Sequence, residues 1–225
     1  NIKKMSELGL MGIPWEEKYG GTGMDTMALV IAIEELGKVC ASTAATMMAH
    51  TSLGSAPIAV FGTEIQKQKY LSKLASGKML GAFGLTEPNA GSDAGNTQTS
   101  AVLDGENTFL VNGQKAFCTN AGKAGIIIFT AKLIEHGEEK GISAFIVEAG
   151  TPGLSLGEPE KKMGWKASDT RSVFFENMRI PKENILGNPS QGFKQFLKTL
   201  TGGRITIGAL SLGTAQGGYE AALNY

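Results

Sequence analysis

Two stretches of the chain hold residue types that chemistry needs. The first, Phe83-Gly-Leu-Thr-Glu-Pro-Asn-Ala-Gly-Ser-Asp-Ala-Gly95, is loop-like and dense in hydroxyls and main-chain donors. Its Ala90–Gly95 part can form a nest of backbone N–H groups, because glycine lets the main chain approach a bound phosphate closely. Ser92 adds a hydroxyl there, although a serine at such a place also serves as a turn or helix cap. The second stretch, Phe117-Cys-Thr-Asn-Ala-Gly122, sets Phe117 and Thr119 on one face of a strand. Alone, that pair reads as packing. Beside the first stretch it offers a flat apolar support with hydroxyls at its edge. No G-x-G-x-x-G follows a strand, and Gly20-Gly-Thr-Gly23 is only a loop, so a dinucleotide is not held here in Rossmann fashion.

Other candidates carry less. Glu87 lies within the first stretch and reads as its brace, and Glu220 reads as a structural residue of a helix. Gly153-Leu-Ser-Leu-Gly157 has the form of a nucleophile elbow, which must join a strand to a helix. Thr151-Pro152 precedes it and Glu158-Pro159 follows with no helical pattern, so a hydrolase is set aside. His50 sits in an Ala- and Met-rich helix and reads as a buried or interface residue. His136 falls in a charged, solvated loop. The two cysteines, Cys40 and Cys118, are far apart and match no CxxC pattern, which suits a reducing compartment. With 2 histidines in the chain, a zinc cluster is not expected.

The elements that must hold these stretches follow from periodicity. Ile2, Met5 and Leu8 suit the end of a helix broken at Gly9. Asp25 can cap a helix over Thr26–Lys38, with Leu29, Ile33 and Leu36 on one face. Ala41–Ser52 reads as a buried helix, Pro57–Phe61 as a separate short one, and Thr63 as the cap of Glu64–Ser76. The period then changes. Strands are expected over 98–103, 108–111, 125–132, 142–148 and 171–176. Turns are expected at Asp104-Gly105, at Asn112-Gly113 as a tight hairpin, and through a charged loop at Glu135–Lys140. From Ser190 a helix runs to Tyr225, with Phe193, Phe196, Leu197 and Leu200 on one face. Its many glycines imply close helix contact or a break near Gly202-Gly203. The fold class expected is α+β and multidomain: a helical segment over 1–80, an antiparallel β-barrel domain over 81–188, and the start of a C-terminal helical bundle over 189–225.

The totals agree with a folded domain of this size. Of 225 residues, 42% are hydrophobic, enough for a sizeable core. The 21 Lys plus Arg balance the 21 Asp plus Glu, so no charge excess points to nucleic acid or an anionic membrane. No apolar run approaches the ~20 residues of a membrane span, and no secretory leader is visible. The chain begins at Asn1 rather than Met and stops at Tyr225 inside a helical pattern, so it reads as a piece of something longer.

Gly84-Leu-Thr-Glu-Pro-Asn-Ala-Gly-Ser-Asp93 is very similar to the flavin-loop signature of the acyl-CoA dehydrogenases. Phe117-Cys-Thr-Asn-Ala resembles that family's second flavin segment, where Trp or Phe precedes Ile-Thr-Asn. Lys162-Met-Gly-Trp-Lys-Ala-Ser-Asp-Thr170 with Val173-Phe-Phe-Glu-Asn-Met-Arg-Ile-Pro-Lys-Glu-Asn-Ile-Leu-Gly187 resembles a third block, and Gly192-Phe-Lys with Gly202-Gly-Arg-Ile205 a fourth. The likeness runs in order along essentially the whole chain. Ala82-Phe-Gly-Leu-Thr-Glu-Pro-Asn-Ala-Gly and Thr199-Leu-Thr-Gly-Gly-Arg point to the short-chain, butyryl-type branch.

This resemblance implies FAD-dependent α,β-dehydrogenation of an acyl-CoA to the trans-2-enoyl-CoA. It implies flavin contacts from Phe83, Leu85, Thr86, Gly91, Ser92, Phe117, Cys118 and Thr119, and substrate contacts from Ser92, Thr201 and Arg204. Cys118 stands where members often have Ile and reads as a small filler whose thiol could tune the flavin. Thr201 stands where short-chain members often have Asp. No catalytic base is expected within the chain: members place that Glu in the C-terminal helices or just before the Arg matching Arg204, where this chain has Gly203. The fragment alone is therefore expected to be inactive. The resemblance also implies an electron-transferring flavoprotein as partner, a homotetramer when full length, and a cytoplasmic home in preference to the mitochondrial matrix. An enoyl-CoA reductase, an acyl-CoA oxidase and an inactive acyl-CoA or flavin-binding scaffold are the alternatives.

Overall fold

A computed structural model describes all 225 residues. Helices come first. α1 (Ile2–Glu7) ends ahead of Gly9, whose φ of 72° only glycine adopts freely. α2 (Thr26–Val39) starts on Asp25, whose carboxylate accepts the Ala28 N–H. α3 (Ala41–Ala49) runs through a π-helical stretch, His50–Ser55, into α4 (Ala56–Phe61). The short helix expected at Pro57 is thus the end of one continuous run, with the proline just past the π-helical stretch. Thr63 and Gln66 then exchange a reciprocal capping box at the start of α5 (Glu64–Gln66), and a second π-helical turn leads into α6 (Ser72–Ala75).

Eight strands follow: β1 (Leu80–Gly84), β2 (Ser100–Leu103), β3 (Thr108–Thr119), β4 (Ala124–Glu135), β5 (Glu138–Glu148), β6 (Leu154–Leu156), β7 (Thr170–Pro181) and β8 (Ile185–Leu186). They form one sheet in the order β6-β7-β3-β2-β4-β5-β8, with β1 also on β4. The expected antiparallel barrel is instead a mixed, open sheet. β1 and β2 both pair parallel to β4, end to end along the same edge of that strand, and the other pairings are antiparallel. The loop from Leu85 to Thr99 leaves the sheet through the gap between them.

The middles of β4 (126–129) and β5 (144–147) are apolar on both sides because both of their faces are covered. Ile127, Phe129, Phe145 and Val147 join one core with Phe109, Val173 and Phe175. Ile126, Ile128, Ala144 and Ile146 face the helices and pack with Ile58, Tyr70, Leu71, Leu74 and Phe196. A third cluster, including Leu29, Ile33, Met47 and Leu210, binds the helices together.

Two turns differ from expectation. Asn112-Gly113 makes no hairpin; β3 passes through it as a bulge, and Asn112 Oδ1 accepts the Asn177 N–H of β7. The tight turn sits at His136-Gly137, both left-handed, so β4 and β5 extend into what read as a loop. The last helix, α7 (Gly192–Leu223), shows no break at Gly202-Gly203. Its small residues allow close contact: a Cβ on Gly213 would lie 2.1 Å from the Glu34 carbonyl of α2.

His50 ties the helices to the sheet. Its Nδ1 accepts the Gly81 N–H of β1 at 3.1 Å, so Nε2–H donates to the Leu74 carbonyl. Burial lowers its pKa to about 4, against hydrogen bonds to Leu74 and Met11 that raise it. An unfolded histidine titrates at 6.5, so this group's stabilisation is complete above that pH and is lost as pH falls toward 4. The loss amounts to about 3 kcal/mol at about 1.4 per pH unit. In urea titrations, the stability gap between the wild type and His50→Gln should shrink by about that amount from pH 7 to pH 4. A constant gap would show that His50 is not held neutral.

Candidate functional site

The end of β3 is where the sheet becomes a site. Its pairing with β7 slips between Lys115 and Cys118. Cys118 stays in the sheet core, donating its thiol to the Phe83 carbonyl. Ala116 N–H donates to the Thr86 carbonyl at 2.8 Å, which fastens the first stretch to the second. Between them Phe117 has φ 55° and is 65% exposed. A left-handed aromatic residue costs about 1–2 kcal/mol, and such strain concentrates at functional sites. Asn120, also left-handed, closes the turn by donating its side-chain amide to the Thr46 carbonyl of α3.

Both stretches line one cavity of about 450 Å3. Phe83, Leu85, Thr86, Gly91, Ser92 and Ala94 come from the first, and Ala116, Phe117 and Thr119 from the second. Ala49 and Leu53 close it from the α3 run, and Leu197, Leu200 and Arg204 from α7. Phe83 is set by stacking on Phe196 of α7, with ring centroids 4.0 Å apart. Thr86, Ser92 and Thr119 make no side-chain hydrogen bond within the chain, and the N–H groups of Leu85, Thr86, Gly91 and Ser92 find no partner in it either. A second cavity of about 320 Å3 shares Ala49, Leu53 and Thr119 and adds Ala45, Met48, Lys162, Trp165, Ser168 and Thr170. Trp165 is another left-handed residue.

The structure gathers most of the residues singled out in the sequence. Phe83, Leu85, Thr86, Gly91, Ser92, Phe117, Thr119 and Arg204 meet around the first cavity. The Cys118 side chain lies outside it, and burial pushes its thiol up to about 12, so it is inert. Thr201 is exposed beyond the cavity wall and returns its hydroxyl to the Leu197 carbonyl. Arg204 enters no ion pair of the chain.

No Asp or Glu lines either cavity. Glu87 is buried and engaged. Burial works to raise its pKa, but hydrogen bonds from Lys115, Thr97, Thr99 and the Gln98 N–H overcome this and hold it at about 2. Glu220 pairs with Lys38 near the far end of α7. Ser155 lies on exposed edge strand β6, opposite Phe174, with no helix after it. No group of His, Cys, Asp or Glu could hold a metal ion, and no helix is long and apolar enough to cross a membrane.

Sequence reasoning missed Lys115. It occupies an inward position of β3 and is fully buried, with Nζ 2.7 Å from Glu87 Oε1. A lysine in an inward register with Phe109 and Val111 demands a buried carboxylate, and Glu87 is the carboxylate of the neighbouring stretch.

With this geometry in view, the family profile "Acyl-CoA dehydrogenase, N-terminal domain" matches residues 1–78, and "Acyl-CoA dehydrogenase, middle domain" matches residues 82–178. The Bacillus subtilis protein YngJ, named a probable acyl-CoA dehydrogenase, is 52% identical over the whole chain, which spans 59% of its length. The solved butyryl-CoA dehydrogenase of Megasphaera elsdenii superposes with a TM-score of 0.95 at 45% identity, covering 100% of this chain and 59% of that one. An acyl-CoA dehydrogenase from Bacillus anthracis, solved in complex with FAD, superposes with a TM-score of 0.89 at 41% identity, covering 94% of this chain and 36% of that one. The chain thus spans about three fifths of the curated relative it matches.

Proposed function

The chain belongs to the acyl-CoA dehydrogenase family, and from that membership we propose that the whole protein oxidises a short-chain acyl-CoA to its trans-2-enoyl-CoA with FAD. The observation that carries this is the meeting of Thr86, Thr119 and the exposed, strained Phe117 at one cavity, with unpartnered hydroxyls and N–H groups around it. Such donors fit a flat ring that gains negative charge on reduction. When bound, the flavin supplies the acceptor for the hydrogen that leaves the β-carbon.

The chain's own residues do the rest. Phe117 gives the ring an apolar support. Thr86 and Thr119 present hydroxyls to its polar edge. The Gly91-Ser92 turn, with no Cβ contact near Gly91, leaves room for a phosphate. We assign Ser92 and Arg204 to the acyl-CoA, since both line the cavity and Arg204 is free of any internal carboxylate. Ala49, Leu53, Leu197 and Leu200 give the acyl chain an apolar wall that excludes water. The base that takes the α-proton is not among the cavity residues, and we assign it to a Glu elsewhere in the whole protein. On this reading, residues 1–80 and 189–225 belong to helical domains and 81–188 to the β domain between them. The electrons pass to an electron-transferring flavoprotein, and the protein is a cytoplasmic homotetramer.

Adding butyryl-CoA without oxygen to the full-length, FAD-loaded protein tests this. The visible flavin band should bleach and crotonyl-CoA should form. Failure to bind FAD sinks the reading. Binding without bleaching leaves a scaffold, and hydrogen peroxide in air would mark an oxidase.

A further inference from the structure

The Lys115–Glu87 pair is more than a brace needs. Replacing a buried ion pair by apolar residues of similar volume is often neutral or stabilising. Glu87 already accepts the Thr97 hydroxyl and the N–H groups of Gln98 and Thr99. Lys115 Nζ donates to Glu87 and also lies 3.1 Å from Thr97 Oγ1, 3.2 Å from Thr130 Oγ1 and 3.3 Å from the Leu85 carbonyl. That last contact reaches the cavity. The chain has no cis peptide, so the Thr86 N–H points opposite to the Leu85 C=O in a planar trans unit. The next carbonyl, Thr86 O, is held by Ala116 N–H. With the Leu85 carbonyl tied to the buried ammonium, the unpartnered Thr86 N–H turns away from the core, on a residue that lines the cavity.

Resting on the flavin reading above, we propose that Lys115 is a positioning residue for the cofactor. It fixes and polarises the Leu85–Thr86 peptide so that the Thr86 N–H holds reduced, negatively charged flavin more tightly than oxidised flavin. A cation this close to a shielded peptide acts through a low-dielectric interior, where its field is screened little.

The midpoint potential of bound FAD and the dissociation constant of oxidised FAD, measured on the full-length holoprotein, test this in two variants. Lys115→Met should weaken reduced flavin tenfold more than oxidised flavin, a potential lower by about 30 mV for a two-electron couple. Glu87→Gln removes the carboxylate that opposes the ammonium's field and, measured toward acid pH where Lys115 keeps its proton, should raise the potential. A merely structural pair would loosen the loop in both variants, so potentials that shift in the same direction, or not at all, overturn the proposal. If Lys115→Met cannot retain FAD, Glu87→Gln decides alone: a rise supports it, and a fall or no change overturns it. A wild type that binds no FAD overturns the flavin reading itself, before any variant is made.

Discussion

Replacing Phe117 by glycine is expected to stabilise the flavin-free protein while weakening FAD binding ten- to a hundredfold. The two effects have separate causes at one residue. Phe117 holds φ 55° with its ring 65% exposed, so the fold recovers little from packing it. Glycine removes a strain of about 1–2 kcal/mol and gives back about half of that as unfolded-chain entropy. The remainder of about 1 kcal/mol raises Tm by roughly 2–4 °C in a chain of this size. Flavin affinity moves the other way, because stacking of a flat ring on an aromatic side chain contributes about 1–3 kcal/mol. Thermal scans without FAD and fluorescence titrations with it report the two quantities independently. Phe117→Ala keeps the strained backbone and loses the ring, so it should lose affinity without the gain in Tm. A lower Tm for the glycine variant would mean that the ring serves the fold and that its backbone strain is not kept for the ligand.

That opposition was half visible in the sequence. The Phe117 and Thr119 pair could be read as a strand face, but the left-handed kink that turns Phe117 outward arises from a register slip against β7, a strand over fifty residues on. Local signals were legible wherever local chemistry decides. The Asp25 cap and the Thr63–Gln66 box are formed by residues three positions apart. The strands expected over 125–132 and 142–148 form the middles of β4 and β5. Asn112-Gly113 misled because the dipeptide that favours left-handed hairpin turns also suits a bulge, and only the pairing partner distinguishes the two. The parallel pairing of β1 and β2 on one edge of β4 left no local trace, since it is a contact between segments far apart in the chain. In α7, Leu197, Leu200 and Arg204 share the cavity face while Thr201, one step around the helix from Leu200, turns to solvent. Helical period sets all four on one broad side of α7, so neither it nor motif likeness could single Thr201 out.

A single methyl group where the helices cross the sheet should do more damage than the loss of the Phe117 ring. Gly54, in the π-helical stretch, and Gly81, in β1, meet backbone to backbone: a Cβ on Gly81 would lie 2.7 Å from the Gly54 carbonyl oxygen. Neither partner is a flexible side chain that could move aside. Gly81→Ala must push β1 away from the helical run or tilt it, and its N–H bond to His50 lies on the same residue. Overpacking of this kind costs about 1–3 kcal/mol, and the expectation is the upper end, because a buried hydrogen bond is strained with it. The displacement also reaches the site, since the chain runs from Gly81 into Leu85 and Thr86 within five residues. FAD affinity should therefore fall together with stability, unlike the divergence expected at Phe117. Gly208, exposed on α7 with nothing near its Cβ position, is the control. Alanine there should stabilise the helix by about 1 kcal/mol and leave FAD binding unchanged. If Gly81→Ala kept wild-type stability and affinity in urea and flavin titrations, the close crossing of helix and strand would not be what fixes the position of the cofactor loop.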